Sequence, residues 1–195
     1  MKTQTIKINK GFTLVETMFA VMILTFTIVG MMTVVSNSLF AARYSRDEIT
    51  ANYLLQEVID YVRNDRDTTI FLQNGVTWAS FLSDYNNCIS PMSPDGCYFD
   101  VLSSPVTIKK CTSGACPYLY YDKNADATPF YANDDGVGNI GVGGIAKAKT
   151  SFQRKIVLAQ NVSNPDEIDV TVTVTWKNGG LTMTRSLTTS LMKWQ

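Results

Sequence analysis

The sequence predicts an α+β chain, with one long N-terminal α-helix packed on a small antiparallel β-sheet. Three observations carry this. Residues Phe12 to Val35 hold a single charge, Glu16, in 24 positions. Beyond them apolar residues keep three- and four-residue steps, and no proline occurs before Pro91. Near the C-terminus the pattern becomes strict alternation, Ile168, Val170, Val172, Val174 and Trp176 against Asp169, Thr171, Thr173 and Thr175, as in a half-buried strand.

The first element is the apolar run. At about 1.5 Å per residue its 24 residues reach roughly 36 Å, enough to cross a bilayer. Lys2, Lys7 and Lys10 precede it with no acid among them, so the N-terminus stays cytoplasmic and the remainder is exported. No small-residue cleavage site follows the run, unlike a secretory signal. Glu16 is the anomaly. A carboxylate in an apolar span is costly and calls for a partner, yet no Lys or Arg occurs between Phe12 and Ala42. A cut before Phe12 would place a new α-amino group four residues from Glu16, opposite in sign and within reach.

The stretch Lys10-Gly11-Phe12-Thr13-Leu14-Val15-Glu16 with its apolar run resembles the cleavage and methylation motif of type IV prepilins and type II secretion pseudopilins. The resemblance implies that a prepilin peptidase, a membrane aspartic protease, cuts after Gly11 and that Phe12 becomes N-methyl-phenylalanine. It implies that Glu16 neutralises a neighbouring subunit's N-terminus during assembly. It also divides the chain into a leader (1–11), a transmembrane and filament-core helix (12–35), an amphipathic continuation (36–66) and an exported β domain (67–195). Loss of the leader removes three lysines from a chain with 17 basic and 17 acidic residues, so the mature protein is slightly acidic. Nucleic acid is therefore not expected as a partner from charge. The partners implied are other pilin or pseudopilin subunits, the peptidase, the inner-membrane assembly platform, and membrane lipid before assembly.

The helix continues through Ala51, Leu54, Leu55, Val58, Ile59 and Val62, with polar residues on the remaining faces, to about Asp65. Many pilins carry proline where this chain has Thr33; Gly30 and the threonines at 25, 27 and 33 are the residues that would soften the helix here.

About four strands are expected in the exported part. Ile168–Trp176 is the clearest, followed by Asn178-Gly179 as a two-residue type I′ turn. That turn would set Trp176 against Leu181, Val174 against Met183 and Val170 against Leu187, with Arg185 breaking the pattern opposite Val172. Ser151–Gln160 and Tyr118–Tyr121 read as further strands. The segment Phe152-Gln153-Arg154-Lys155-Ile156, the Thr-Val-Thr-Val-Thr-Trp strand and the run to Trp194 resemble V-type minor pilins and I-type minor pseudopilins.

Cys88, Cys97, Cys111 and Cys116 lie in the exported part, where disulfides form. Three pairings are open; the sequential one closes two short turn-rich loops. A four-cysteine zinc site is the alternative, although the spacing is not that of ribbons or fingers. Major pilins often carry a disulfide loop near the C-terminus; here the last cysteine is Cys116, which favours a minor subunit. Asp122, Asn124 and Asp126 have the spacing that opens many calcium loops, but the glycine and distal glutamate of an EF-hand are absent. Asp134, Asp135 and the stretch to Gly144 read as a solvated loop. The chain has no histidine, which excludes Ser-His and Cys-His nucleophile pairs and removes the commonest metal ligand. A structural, non-enzymatic subunit without a cofactor is expected, the alternative being a binding module at a pilus tip, either an adhesin or a DNA-uptake competence pseudopilin.

Overall fold

The computed structural model describes residues 11, 13–72, 77–91, 93–100, 106–112, 114–122, 131–133 and 147–193. Outside this set lie the leader lysines, Phe12, Asn124 and Asp126 of the calcium-like spacing, the loop from Asp134 to Gly144, and Trp194. The chain forms two compact units, Met1–Arg46 and Asp47–Gln195, and helix α1 (Leu14–Leu72) contributes to both.

In the first unit α1 is uninterrupted through Gly30 and Thr33. Its apolar side chains, Leu14, Phe19, Phe26, Met31 and Val34 among them, are exposed. The hydroxyls are not left unpaired. Thr17, Thr25, Thr27 and Thr33 each donate to the carbonyl three residues back at 2.8 Å. A hydroxyl satisfied in this way can face an apolar medium at little cost.

In the second unit α1 buries Ala51, Leu54, Leu55, Val58, Ile59 and Val62, the stripe expected from the spacing. The helix runs on to Leu72, past the expected end near Asp65. No glycine or proline intervenes before Gly75, and Arg66 and Thr69 are themselves buried. A short helix α2 (Trp78–Asp84) follows, capped by Thr77, whose hydroxyl accepts from the Ser80 N–H.

Eight strands form one sheet among the described residues: β1 (Ile89–Ser90), β2 (Cys97–Asp100), β3 (Thr107–Lys110), β4 (Tyr118–Asp122), β5 (Tyr131–Asn133), β6 (Lys147–Gln160), β7 (Glu167–Asn178) and β8 (Leu181–Met192). The long β6 organises the sheet. One of its edges pairs with β7; the other takes β4, β2 and, in parallel, β1. β3 extends β2, β5 extends β4 and β8 extends β7. The four extra strands are two to four residues long, too short to show a period in sequence.

The long hairpin differs from expectation in its turn. Asn178 pairs with Leu181, and the loop is Gly179-Gly180, with φ of 59° and 99°. A type I′ turn needs positive φ at both central residues, and two glycines supply it without a Cβ penalty, so Asn178 joins the strand. Pairing thereby moves by two residues, which keeps each side chain on its expected face. Trp176 meets Met183, Val172 meets Leu187 and Ile168 meets Leu191, while Arg185 stands opposite Val174.

Even-numbered residues of β6 and β7 from Phe152 to Leu158 and Ile168 to Trp176 are buried in the core beneath α1. Two aromatic chains fill its ends: Trp78–Phe81–Tyr85–Phe99, and Tyr121–Tyr131–Phe152–Trp176. Gly96 brings β2 against β6. Its φ is +72°, and a Cβ there would stand 2.6 Å from the Ile156 carbonyl oxygen.

Candidate functional site

The motif at the start of α1 has a defined local geometry. Thr13 precedes the first helical residue; its Oγ1 accepts from the Glu16 N–H at 3.3 Å, and its carbonyl accepts from the Thr17 N–H at 3.2 Å. Thr13 is thus the N-cap and Glu16 the third helical residue, a capping-box spacing. The Glu16 carboxylate lies in the first turn, where the unpaired N–H groups of the helix favour negative charge. Spacing T-x-x-E carries this signal in the sequence, and the reading of Glu16 as a charge in search of a partner passed over it. Gly11 is exposed just ahead of the cap, and Phe12 lies outside the described residues.

The apolar segment is the one helix among those described that is long and apolar enough to cross a membrane. Its most apolar 18-residue window has a mean hydropathy of 2.3, and none of it is buried.

In the second unit, four arginines tie the helix to the sheet or to itself. Arg154 of β6 sits on the core face at 2% exposure and reaches α1. It donates to Glu57 at 2.6 Å and to the Leu54 carbonyl at 3.3 Å. Arg185 of β8 donates through Nε to Glu48 at 3.0 Å. Arg63 bonds to Thr189, and Arg66 to Asp67 and the Met192 carbonyl. Arg185, the residue that broke the strand pattern, is therefore a helix-to-edge contact. The buried Arg154 has no sequence signature beyond its place between Phe152 and Ile156 in an alternating strand.

A second polar contact lies at the end of α1. The Tyr85 hydroxyl donates to Asp65 Oδ2 at 2.8 Å. Burial holds the Asp65 carboxyl above its ordinary range; the Tyr85 hydrogen bond opposes this and Asp84 adds to it. Burial and then the Asp65 charge push the Tyr85 phenol up as well.

All four cysteines are bonded, Cys88 to Cys97 and Cys111 to Cys116. This is the sequential pairing, and it excludes the zinc alternative because no thiolate remains. The two bridges are neighbours: Cys97 and Lys110 pair across β2 and β3, and Cys111 follows. Beside α1 an open groove of about 490 Å³ is lined by Tyr53, Glu57, Asp60 and Tyr131. Asp122 ends β4, while Asn124 and Asp126 lie outside the described residues.

These features define a class: an apolar helix with a capped, acidic first turn, joined to a disulfide-bonded α+β domain. No family model, curated protein or solved structure matches the chain.

Proposed function

We propose that this chain is a structural minor subunit of a type IV pilus or type II secretion filament, processed between Gly11 and Phe12 and assembled through its N-terminal helix. The observation that carries the reading is Glu16, placed at the first turn of an exposed apolar helix directly after Gly11-Phe12. A lone carboxylate at that end meets a newly made amine of the same or a neighbouring chain once the leader is removed. Exposed aliphatic side chains along the same segment supply lipid contact before assembly and helix–helix packing after it. The two disulfides fit an oxidising compartment, in keeping with an exported domain tethered to the inner membrane.

The capping geometry dictates how the reading is tested. Glu16→Ala removes both the charge and the residue type favoured at the third helical position, whereas Glu16→Gln keeps a type favoured there and removes only the charge. Both variants should be cleaved, with N-methyl-phenylalanine at the new terminus by mass spectrometry, and Gly11→Val should stay at precursor size. Glu16→Gln should enter sheared filaments at least tenfold less than the parent. Parental incorporation of Glu16→Gln would overturn the electrostatic account, and an uncleaved parent protein would overturn the assignment itself.

A further inference from the structure

We propose that the outward face of the sheet binds an acidic polysaccharide. The starting point is how the cations are sorted. The described arginines of the second unit, Arg63, Arg66, Arg154 and Arg185, all meet carboxylates of α1. The lysines of the opposite face do not. Among the described residues Lys149, Lys155 and Lys177 form no ion pair, and Lys149 and Lys177 are exposed. The Lys155 ammonium is held by the Pro94 carbonyl at 3.1 Å, which leaves its charge uncompensated.

Register places these groups together. Odd-numbered residues of β6 and β7 point away from α1, so Lys149, Lys155 and Lys177 share one face. Gln153 stands opposite Thr175 on one side and Tyr118 on the other, and Lys149 stands opposite Tyr120. Lys149 and Lys155 are about 13 Å apart along the strand, because the register shift between Tyr118 and Tyr120 takes up two residues of β6, and Lys177 stands one strand over, just past Thr175. The Lys149 ammonium lies 4.2 Å from the centre of the Tyr118 ring. Around the lysines the face is built of hydroxyl and amide side chains, Ser151, Gln153, Thr173 and Thr175. The acids of this face are kept to its margins: Glu167 and Asp169 at the far end of β7, bonded by Asn161 and Ser190, and Asp122 at the end of β4, opposite Lys147.

An extended run of separated positive charges on a hydroxyl-rich, partly aromatic plane matches a chain of sugars bearing carboxylates. Lysine ammoniums act as flexible point charges, and each hydroxyl retains acceptor capacity for sugar O–H groups even where it is bonded to its neighbour. Two features favour this partner over a nucleic acid. The face lacks the arginine forks that grip phosphate in bidentate fashion, all four being committed on the other side. Tyr118 is capped by Lys149 and both tyrosines are half-buried, so neither offers an open platform for a base.

The test uses the full chain in non-ionic detergent with polygalacturonate as the probe. Binding should fall with added salt, and the triple variant Lys149→Gln, Lys155→Gln, Lys177→Gln should bind at least tenfold more weakly. The corresponding triple Lys→Arg variant should keep its binding, and so should Arg63→Gln on the helix side. Lysine acetylation of the unmodified protein gives a second readout without any substitution. Polygalacturonate should protect Lys149, Lys155 and Lys177 at least threefold relative to Lys110. The proposal is overturned by absence of binding at low salt, by acetylation unchanged at the three lysines, by a folded triple Gln variant that binds like the parent, or by tighter binding of oligo(dT).

Discussion

The contact between Arg154 and Glu57 makes an asymmetric prediction. The guanidinium is almost fully enclosed, with 2% of its side-chain surface exposed, and the carboxylate is half in water at 49%. Removing the acid strands a buried cation; removing the arginine leaves a carboxylate that rehydrates where it stands. Breaking a buried pair by deleting one partner costs about 3–5 kcal/mol when the survivor remains enclosed. Arg154 keeps its bond to the Leu54 carbonyl, so Glu57→Ala belongs at the low end, about 3 kcal/mol. Arg154→Met refills the space of the aliphatic stem and leaves no buried charge, which brings the cost to about 1 kcal/mol, mainly the lost hydrogen bonds. Urea unfolding followed by the fluorescence of the buried Trp78 and Trp176 measures both. At an m-value of about 1.5 kcal/mol/M, the midpoint should fall by about 2 M for Glu57→Ala and by about 0.7 M for Arg154→Met. An Arg154→Met variant as unstable as Glu57→Ala would refute the reasoning, because the loss would then not depend on which charge is stranded.

Three further outcomes follow from the structure. Asp65 has a folded-state pKa raised by burial, so its contribution to stability is present below the unfolded carboxyl pKa and lost as pH rises through the folded one. Asp65→Asn, which can still accept from the Tyr85 hydroxyl, should flatten that part of the stability–pH curve, and an unchanged slope would contradict the assignment. The Cys88–Cys97 and Cys111–Cys116 bridges span separations of 9 and 5 residues, and chain-entropy arguments give about 2.5 and about 2 kcal/mol. Replacing Cys88 and Cys97 by Ala should cost more than replacing the other pair, since these two also pack within the main hydrophobic core; equal thermal melts would count against this. Gly96→Ala should destabilise by more than the about 1–2 kcal/mol of a left-handed conformation, because the new Cβ meets the Ile156 carbonyl; a smaller loss by urea titration would contradict the close approach.

What could be read in the sequence depended on how far each pattern extends along the chain. The long helix and β7 repeat their periods over many residues, and both formed over those residues, the helix running on beyond Asp65 to Leu72. The short strands exist through pairing, β1 and β2 with β6, β3 with β2 and β5 with β4, and a strand of two to four residues leaves no local pattern to read. The hairpin turn was misplaced by one residue because two I′-compatible dipeptides overlap at Asn178-Gly179-Gly180, and local propensity does not rank them strongly. Cysteine pairing followed loop length. Arg154 was invisible as a site residue, because burial of a cation depends on an acid 97 positions away in the chain being brought to the same place by the helix.

Charge placement ties the two units' chemistry to one physical requirement. A formal balance of 17 and 17 conceals three different uses of charge. Arginine, with several fixed donors, is spent where an ion pair must also satisfy carbonyls at the edge of the core, as Arg154 and Arg66 do. Lysine, a point charge, occupies the outward sheet face, where Lys149, Lys155 and Lys177 form no ion pair among the described residues. Glutamate at position 16 stands in the first turn of an apolar helix, where the Thr13 cap settles its N–H and the helix end tolerates its carboxylate, without supplying a counter-charge. The Lys155 ammonium and the Glu16 N–H each have a hydrogen-bond partner within the chain, while neither side chain has an ion-pair partner among the described residues. That combination costs a folded chain little in water, and it becomes a strong preference for a partner of opposite sign once water is excluded.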